Sequence, residues 1–324
     1  MSDARNSTIV WAIEAFPNPQ AYDFELKMAS ALRWYFPRSK IIPVYVLSDQ
    51  IFAARGFGRF LRPALKPAAL KAMRRIFAEL SKTHDLQITR PRVLREISSS
   101  REDCARKLVR FAEKAHADFI ALRSRGLPFL AHLMGYSFSE AVLRYSRVPL
   151  FIIGPKSEIC AGPPKSVIFA GDFTSTPSGT IDEILKIVAN FGAELHLFHK
   201  SDSITFNPLQ CIGISLFAEA FWPAQHSFHS DRFNELNLLR RFREWVHRAD
   251  TKGIKTRLAN ENFRETNSKA IVHYLRRLGD ASALVALTAR TRRGPLIGNI
   301  AREVIRMSPY PVFMTPAFEQ AIGT

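Results

Sequence analysis

The sequence predicts an α/β protein of two similar three-layer domains, each with a five-stranded parallel sheet between helices. Three observations carry this. The chain has 324 residues, about twice the common domain size. Strand-like and helix-like segments alternate along it. The pattern that closes the first half also returns at the end of the second.

The first half ends in HADFIALRSRG, a loop, and SFSEAVLRYSRVPLFIIGP; the second ends in DASALVALTARTRRG, a loop, and NIAREVIRMSPYPVFMTP. Each reads as strand, loop, helix and a short strand opened by a proline, Pro149 or Pro311. An internal repeat of this kind assigns the whole architecture. The beginnings agree as well. TIVWAIEAF from Thr8 and SVIFAGDFT from Ser166 are apolar, β-branched runs followed by turn residues and a helix. Residues 9–14 are therefore expected to match 167–172, and residues 148–153 to match 310–315.

Between these ends the first copy holds a strand KIIPVYVL from Lys40, a helix within 62–82, a strand near 86–94 and a helix over 101–116. Strands that are apolar on both faces and separated by helices imply parallel pairing, because each parallel crossover needs a helix to return the chain. In the second copy Ile181, Ile184, Leu185 and Val188 recur at helical spacing, and AELHLFHK from Ala193 is the next strand. Its middle departs from the repeat. An aromatic stretch precedes an amphipathic helix at roughly 232–248, so a helical insertion of about 205–250 is expected, covering either its own domain or a subunit contact. The Pro- and Gly-containing stretch 155–165 marks the linker, giving domains of 1–156 and 164–324.

With 47% hydrophobic and 23% charged residues, the chain has an ordinary core and is no disordered polyelectrolyte. Its apolar runs are strand-sized, far below the roughly 20 residues of a membrane span. The start lacks the zones of a secretory signal, which predicts a cytoplasmic protein. Cys104, Cys160 and Cys211 lie far apart with no CxxC pair, which argues against a disulfide framework or a thiolate metal site. His226 and His229 could share a helical turn but lack a third ligand, so no metal site is expected.

The net charge of +17 attracts anions: nucleic acid, anionic lipid or another acidic surface, or phosphorylated ligands. Residues 51–75 concentrate it, with Arg55, Arg59, Arg62, Lys66, Lys71, Arg74 and Arg75 and no acidic residue. A solvated helix face would read the same way. No GxSxG, GxxxxGK[ST], HExxH or strand-linked GxGxxG occurs, so no catalytic residue is expected.

The closing motif resembles that of the universal stress protein family, whose domains end in ADLIVMGTRG, a glycine-containing loop, a Gly-Ser/Thr pair and a helix leading to CPVLVV. ADFIALRSRG matches the first of these in register, and the pattern recurs in both halves, as in tandem forms. The resemblance implies an adenine nucleotide alpha hydrolase-like fold and a stress-response role. It also implies domains paired through their last strands, here as an intramolecular pseudo-dimer, with a homodimer as a further assembly. In one branch it implies ATP, bound on a loop reading G-x2-G-x9-G-[ST], with an aspartate ending the first strand beside the adenosine. Glycines let backbone N–H groups approach phosphate, and the next helix offers its N-terminus.

Carried onto the first copy, the aspartate position is Glu14, the first glycine falls on Arg123, Gly126 is kept, and the last glycine falls on Tyr136 before Ser137. A one-residue slip would use Gly135 instead. The second copy has Gly171 and Asp172 at the strand end, then a shorter loop with Arg290, Arg292, Arg293 and Gly294 ahead of Gly298 and Asn299. Guanidinium groups bind phosphate in bidentate fashion and could replace lost backbone contacts. Lys200 falls where the family has an apolar residue beside adenine. If one copy binds ATP, the second is expected to, with slow hydrolysis at most. The alternatives are an interaction protein of the same family without nucleotide, or a basic nucleic-acid or acidic-surface binder.

Overall fold

The computed structural model describes residues 7–16, 19–48, 62–96, 100–124, 137–171, 173, 176–200, 229–261, 266–279, 282–289 and 299–316. The first half runs β1 (Thr8–Ala12), α1 (Pro19–Tyr35), β2 (Lys40–Ser48), α2 (Arg62–His84), β3 (Arg92–Glu96), α3 (Arg101–Lys114), β4 (Phe119–Arg123), α4 (Phe138–Tyr145) and β5 (Leu150–Ile153). The second runs β6 (Ser166–Ala170), α5 (Ser178–Phe191), β7 (Glu194–Lys200), α6 (His229–Asp250), β8 (Thr256–Glu261), α7 (Asn267–Leu278), β9 (Ala283–Ala289), α8 (Asn299–Met307) and β10 (Val312–Pro316). The third strand lies later than its apolar residues suggest. Pro91 has no N–H to give a ladder, and residues before it contribute only the bridge between Ile88 and Ile41.

All ten strands join one sheet, in the order β3-β2-β1-β4-β5-β10-β9-β6-β7-β8. Pairing is parallel within each half. The last strands β5 and β10 pair antiparallel, with Phe151 opposite Phe313. Each half on its own would leave that strand as a bare edge. Successive strand residues face opposite sides: Ile9 and Trp11 pack with α1, α2, α5 and α6, whereas Val10 and Ile120 pack with α3, α4, α7 and α8. Each such buried side chain contributes about 1.5–3 kcal/mol.

Local signals fix the helix ends. Ser100 caps α3 by accepting from the N–H groups of Glu102 and Asp103. Gly192 and Gly279 end α5 and α7 at φ of 62° and 60°, a left-handed conformation that glycine adopts without strain. Among the described residues no helix is long and apolar enough to cross a membrane.

Further contacts tie the halves together beyond the β5–β10 pair. On one face, Tyr35, Phe36, Phe151 and Phe191 form an aromatic cluster, with Phe36 5.5 Å from Phe151 and 5.6 Å from Phe191. The Tyr35 hydroxyl donates to the Ala283 carbonyl at 3.0 Å and accepts from the Cys160 thiol at 3.4 Å. Ser30 donates to the Cys160 carbonyl at 2.8 Å, so the expected linker is held against α1. On the other face, Arg302 Nε lies 2.9 Å from the Glu140 carboxylate.

Candidate functional site

In an open parallel sheet the ligand crevice lies beyond the carboxyl ends of the strands, where neighbouring strands send their connections to opposite sides. In the first half that point lies between β1 and β4, which pair side by side. Glu14 follows β1 and Arg123 ends β4, so two of the sequence-predicted residues meet here. Between them stands Glu25 of α1, only 2% exposed.

Glu25 accepts hydrogen bonds from the Glu14 backbone N–H and the Trp11 indole, yet its Oε1 has no hydrogen-bond partner among the described residues. Burial pushes its pKa up to about 8; Arg123 and the two hydrogen bonds oppose the rise, and the Glu14 charge adds to it. At neutral pH Glu25 is therefore a protonated, neutral acid. Arg123, whose charge acts on Glu25, also has its guanidinium 5.8 Å from the Phe24 ring.

Ser137 is engaged elsewhere. Its hydroxyl accepts from the Glu140 N–H at 3.2 Å, and the Glu140 carboxylate accepts from the Ser137 N–H at 3.1 Å. This reciprocal cap starts α4.

In the second half Gly171 follows β6. A Cβ there would lie 2.6 Å from the Phe169 ring, so glycine makes room for that side chain. Phe169 stacks on Trp245 of α6 at 4.5 Å and 22°, and Phe173 lies 4.4 Å from Phe242 and 6.4 Å from His199. α6, which lies between β7 and β8 as α2 lies between β2 and β3, thus covers its own half with aromatic rings. Trp245 is fully buried, and among the described residues its Nε1 has no hydrogen-bond partner.

Glu183 holds in α5 the place that Glu25 holds in α1: each stands six residues after a proline, Pro177 or Pro19. Burial raises its pKa, with Lys186 opposing, and among the described residues its Oε2 has no hydrogen-bond partner. Two differences set it apart. It is only half-buried, and the residue matching Trp11 is Phe169, which has no N–H to donate.

Asn299 opens α8 and is exposed. Asp172, Arg290, Arg292, Arg293, Gly294 and Gly298, with Gly126, Gly135 and Tyr136 of the first copy, lie outside the described residues. Glu25 and Glu183 escaped the motif-based reading; the one sequence signal for them is the repeat register counted from the two prolines. Among the described residues no group of three or more His, Cys, Asp or Glu side chains is placed to hold a metal ion.

A sequence profile of the universal stress protein family matches residues 26–154. The chain carries a universal stress protein domain. That domain begins within α1 and ends just after β5, and the fold extends the likeness to the whole chain. A universal stress protein from Archaeoglobus fulgidus DSM 4304 is similar at 18% identity over 98% of both chains, with a TM-score of 0.65. A putative universal stress protein from Pseudomonas aeruginosa UCBPP-PA14 is similar at 13% identity, over 97% of this chain and 94% of that one, with a TM-score of 0.52. At such identities the likeness is one of fold. No curated protein sequence matches the chain.

Proposed function

We propose that this chain is a two-domain universal stress protein with a stress-response role, in which residues 1–156 form a ligand-free domain and residues 164–324 an adenine nucleotide-binding one. The observation that carries the reading is Glu25. Its buried carboxyl stands in the first-half crevice next to Glu14, with Arg123 near it, which supports a domain without ligand.

The second half differs at the matching places. Glu183 is half-exposed, and Gly171 precedes Asp172, the acidic residue the family's nucleotide-binding branch uses. In this reading Asp172 meets the ribose, while Arg290, Arg292, Arg293, Gly294, Gly298 and Asn299 surround the phosphates. The β5–β10 pairing supports an intramolecular pseudo-dimer, the two domains standing in for two subunits.

Titration calorimetry with ATP, on wild type and on Asp172→Ala, tests the proposal; heat from wild type that the substitution abolishes is the expected result. Mass spectrometry of small molecules released from the denatured protein gives an independent measurement. No heat at millimolar ATP, together with no released nucleotide, favours an interaction protein with both crevices closed. The packing of Trp245 on Phe169 and of Phe242 on Phe173, at the end of β6, supports that second reading.

A further inference from the structure

β3 is the free edge of the ten-stranded sheet on the first-half side. The outermost helices flank it: α2 packs on one sheet face and α3 on the other. Lys71, Arg74 and Arg75 on α2, and Arg90, Arg92 and Arg95 at the strand, are all exposed. None of the six forms an ion pair with another described residue. Val93 packs towards α2 and Leu94 towards α3, so by strand alternation Arg95 and Arg92 stand on opposite faces of the edge.

Residues 62–96 hold nine basic and three acidic side chains. The matching segment of the second half, 229–261, holds eight and five, and some of its cations are paired: Arg241 with Glu244, and Arg248 with Glu244 and with Asp182 of α5. The matching edge of the second half thus has a smaller excess of positive charge and offsets part of it with ion pairs.

We propose that the edge formed by α2, β3 and α3 binds the phosphate backbone of duplex nucleic acid without reading its sequence. Five of the six cations are arginines, whose planar fork suits phosphate oxygens. α2, with 23 residues, is about 35 Å long, close to one turn of B-form DNA. Among the described residues the large apolar side chains left exposed are Trp34, Ile159 and Ile300, none of them on this edge. Among the described residues this edge therefore offers no ring on which to stack the bases of a single strand, and no exposed large apolar side chain to insert into a lipid headgroup layer.

The test is fluorescence anisotropy of the full chain with two labelled DNA duplexes of unrelated sequence, titrated in 50 and 200 mM salt. Equal affinity for both is expected, weakening about 10³-fold between the two salt concentrations if some six phosphates are neutralised. Replacing Arg74, Arg75, Arg92 and Arg95 by Gln should lower the logarithmic salt slope by about 4. A control with Lys255, Arg257, Arg276 and Arg277 replaced by Gln removes the same charge from the other half and should leave the slope nearly unchanged. Absence of binding at 50 mM salt, equal losses in the two variants, or tighter binding to phosphatidylserine vesicles than to duplex would each overturn the proposal.

Discussion

The backbone of Gly154, just past β5, sits so close to the Ile305 carbonyl of α8 that a Cβ on Gly154 would lie 2.0 Å from that oxygen. The obstacle is backbone, which no rotamer change relieves. The Gly154 N–H is also held by Ser157, whose hydroxyl donates on to the Tyr310 carbonyl. One glycine thus sets how closely the two halves approach.

Gly154→Ala is expected to destabilise the protein by about 2 kcal/mol or more, the scale of overpacking in a tight interior. Thermal unfolding reads this directly. An unchanged midpoint would mean that the first half does not meet α8 as described.

Glu25 makes stability depend on pH in a defined direction. Its folded pKa, pushed up to about 8, lies above the ordinary 4.5, so between these values the folded chain binds the proton more tightly than the unfolded one. The stabilisation is fully present below about pH 4.5 and is lost as pH rises through about 8. Each pKa unit is worth about 1.4 kcal/mol, which bounds the effect near 5 kcal/mol. Glu25→Gln mimics the neutral acid and should gain on wild type steadily from pH 5 to pH 8 in urea unfolding. A difference that stays constant with pH contradicts a desolvated Glu25.

Tyr35 carries a hydroxyl from α1 of the first half to the first residue of β9. Tyr35→Phe keeps the ring in its aromatic cluster and removes only the polar link, leaving the Cys160 thiol without its acceptor. A loss of about 1–2 kcal/mol is expected, the usual cost of a buried hydrogen bond. Denaturant unfolding measures it, and a loss below experimental error would show that water replaces the hydroxyl.

Ser137→Ala separates a cap from a ligand contact. Losing the hydroxyl should cost about 1 kcal/mol of stability, as at other helix N-caps. ATP binding measured by calorimetry should be unaffected. Weakened nucleotide binding in this variant would place the ligand in the first half and sink the assignment of the site to the second.

Much of the fold was legible from local pattern. The repeat of closing segments, the prolines ahead of β5 and β10 and the apolar spacing of Ile181, Ile184, Leu185 and Val188 fix strands and helices by short-range rules. They also place Glu14 and Arg123 at the ends of β1 and β4. The third strand was harder to read, because Leu86 and Ile88 are apolar for packing while Pro91 delays the ladder.

By itself the sequence determined the element order, the duplication and the excess of positive charge, all of which depend on residues near one another in the chain. Tertiary structure alone decided that Glu25 lies buried between Glu14 and Arg123, since burial depends on elements more than a hundred residues apart closing over the carboxyl. It also decided that Ser137 caps a helix, and that the chain just past β5 meets α8 closely enough to demand Gly154. The charges of 62–96 were visible as a string of letters, but only the strand order made them the outer edge of the molecule. Where a residue stands in the chain is a local fact, whereas what it faces is set by the packing of the whole sheet.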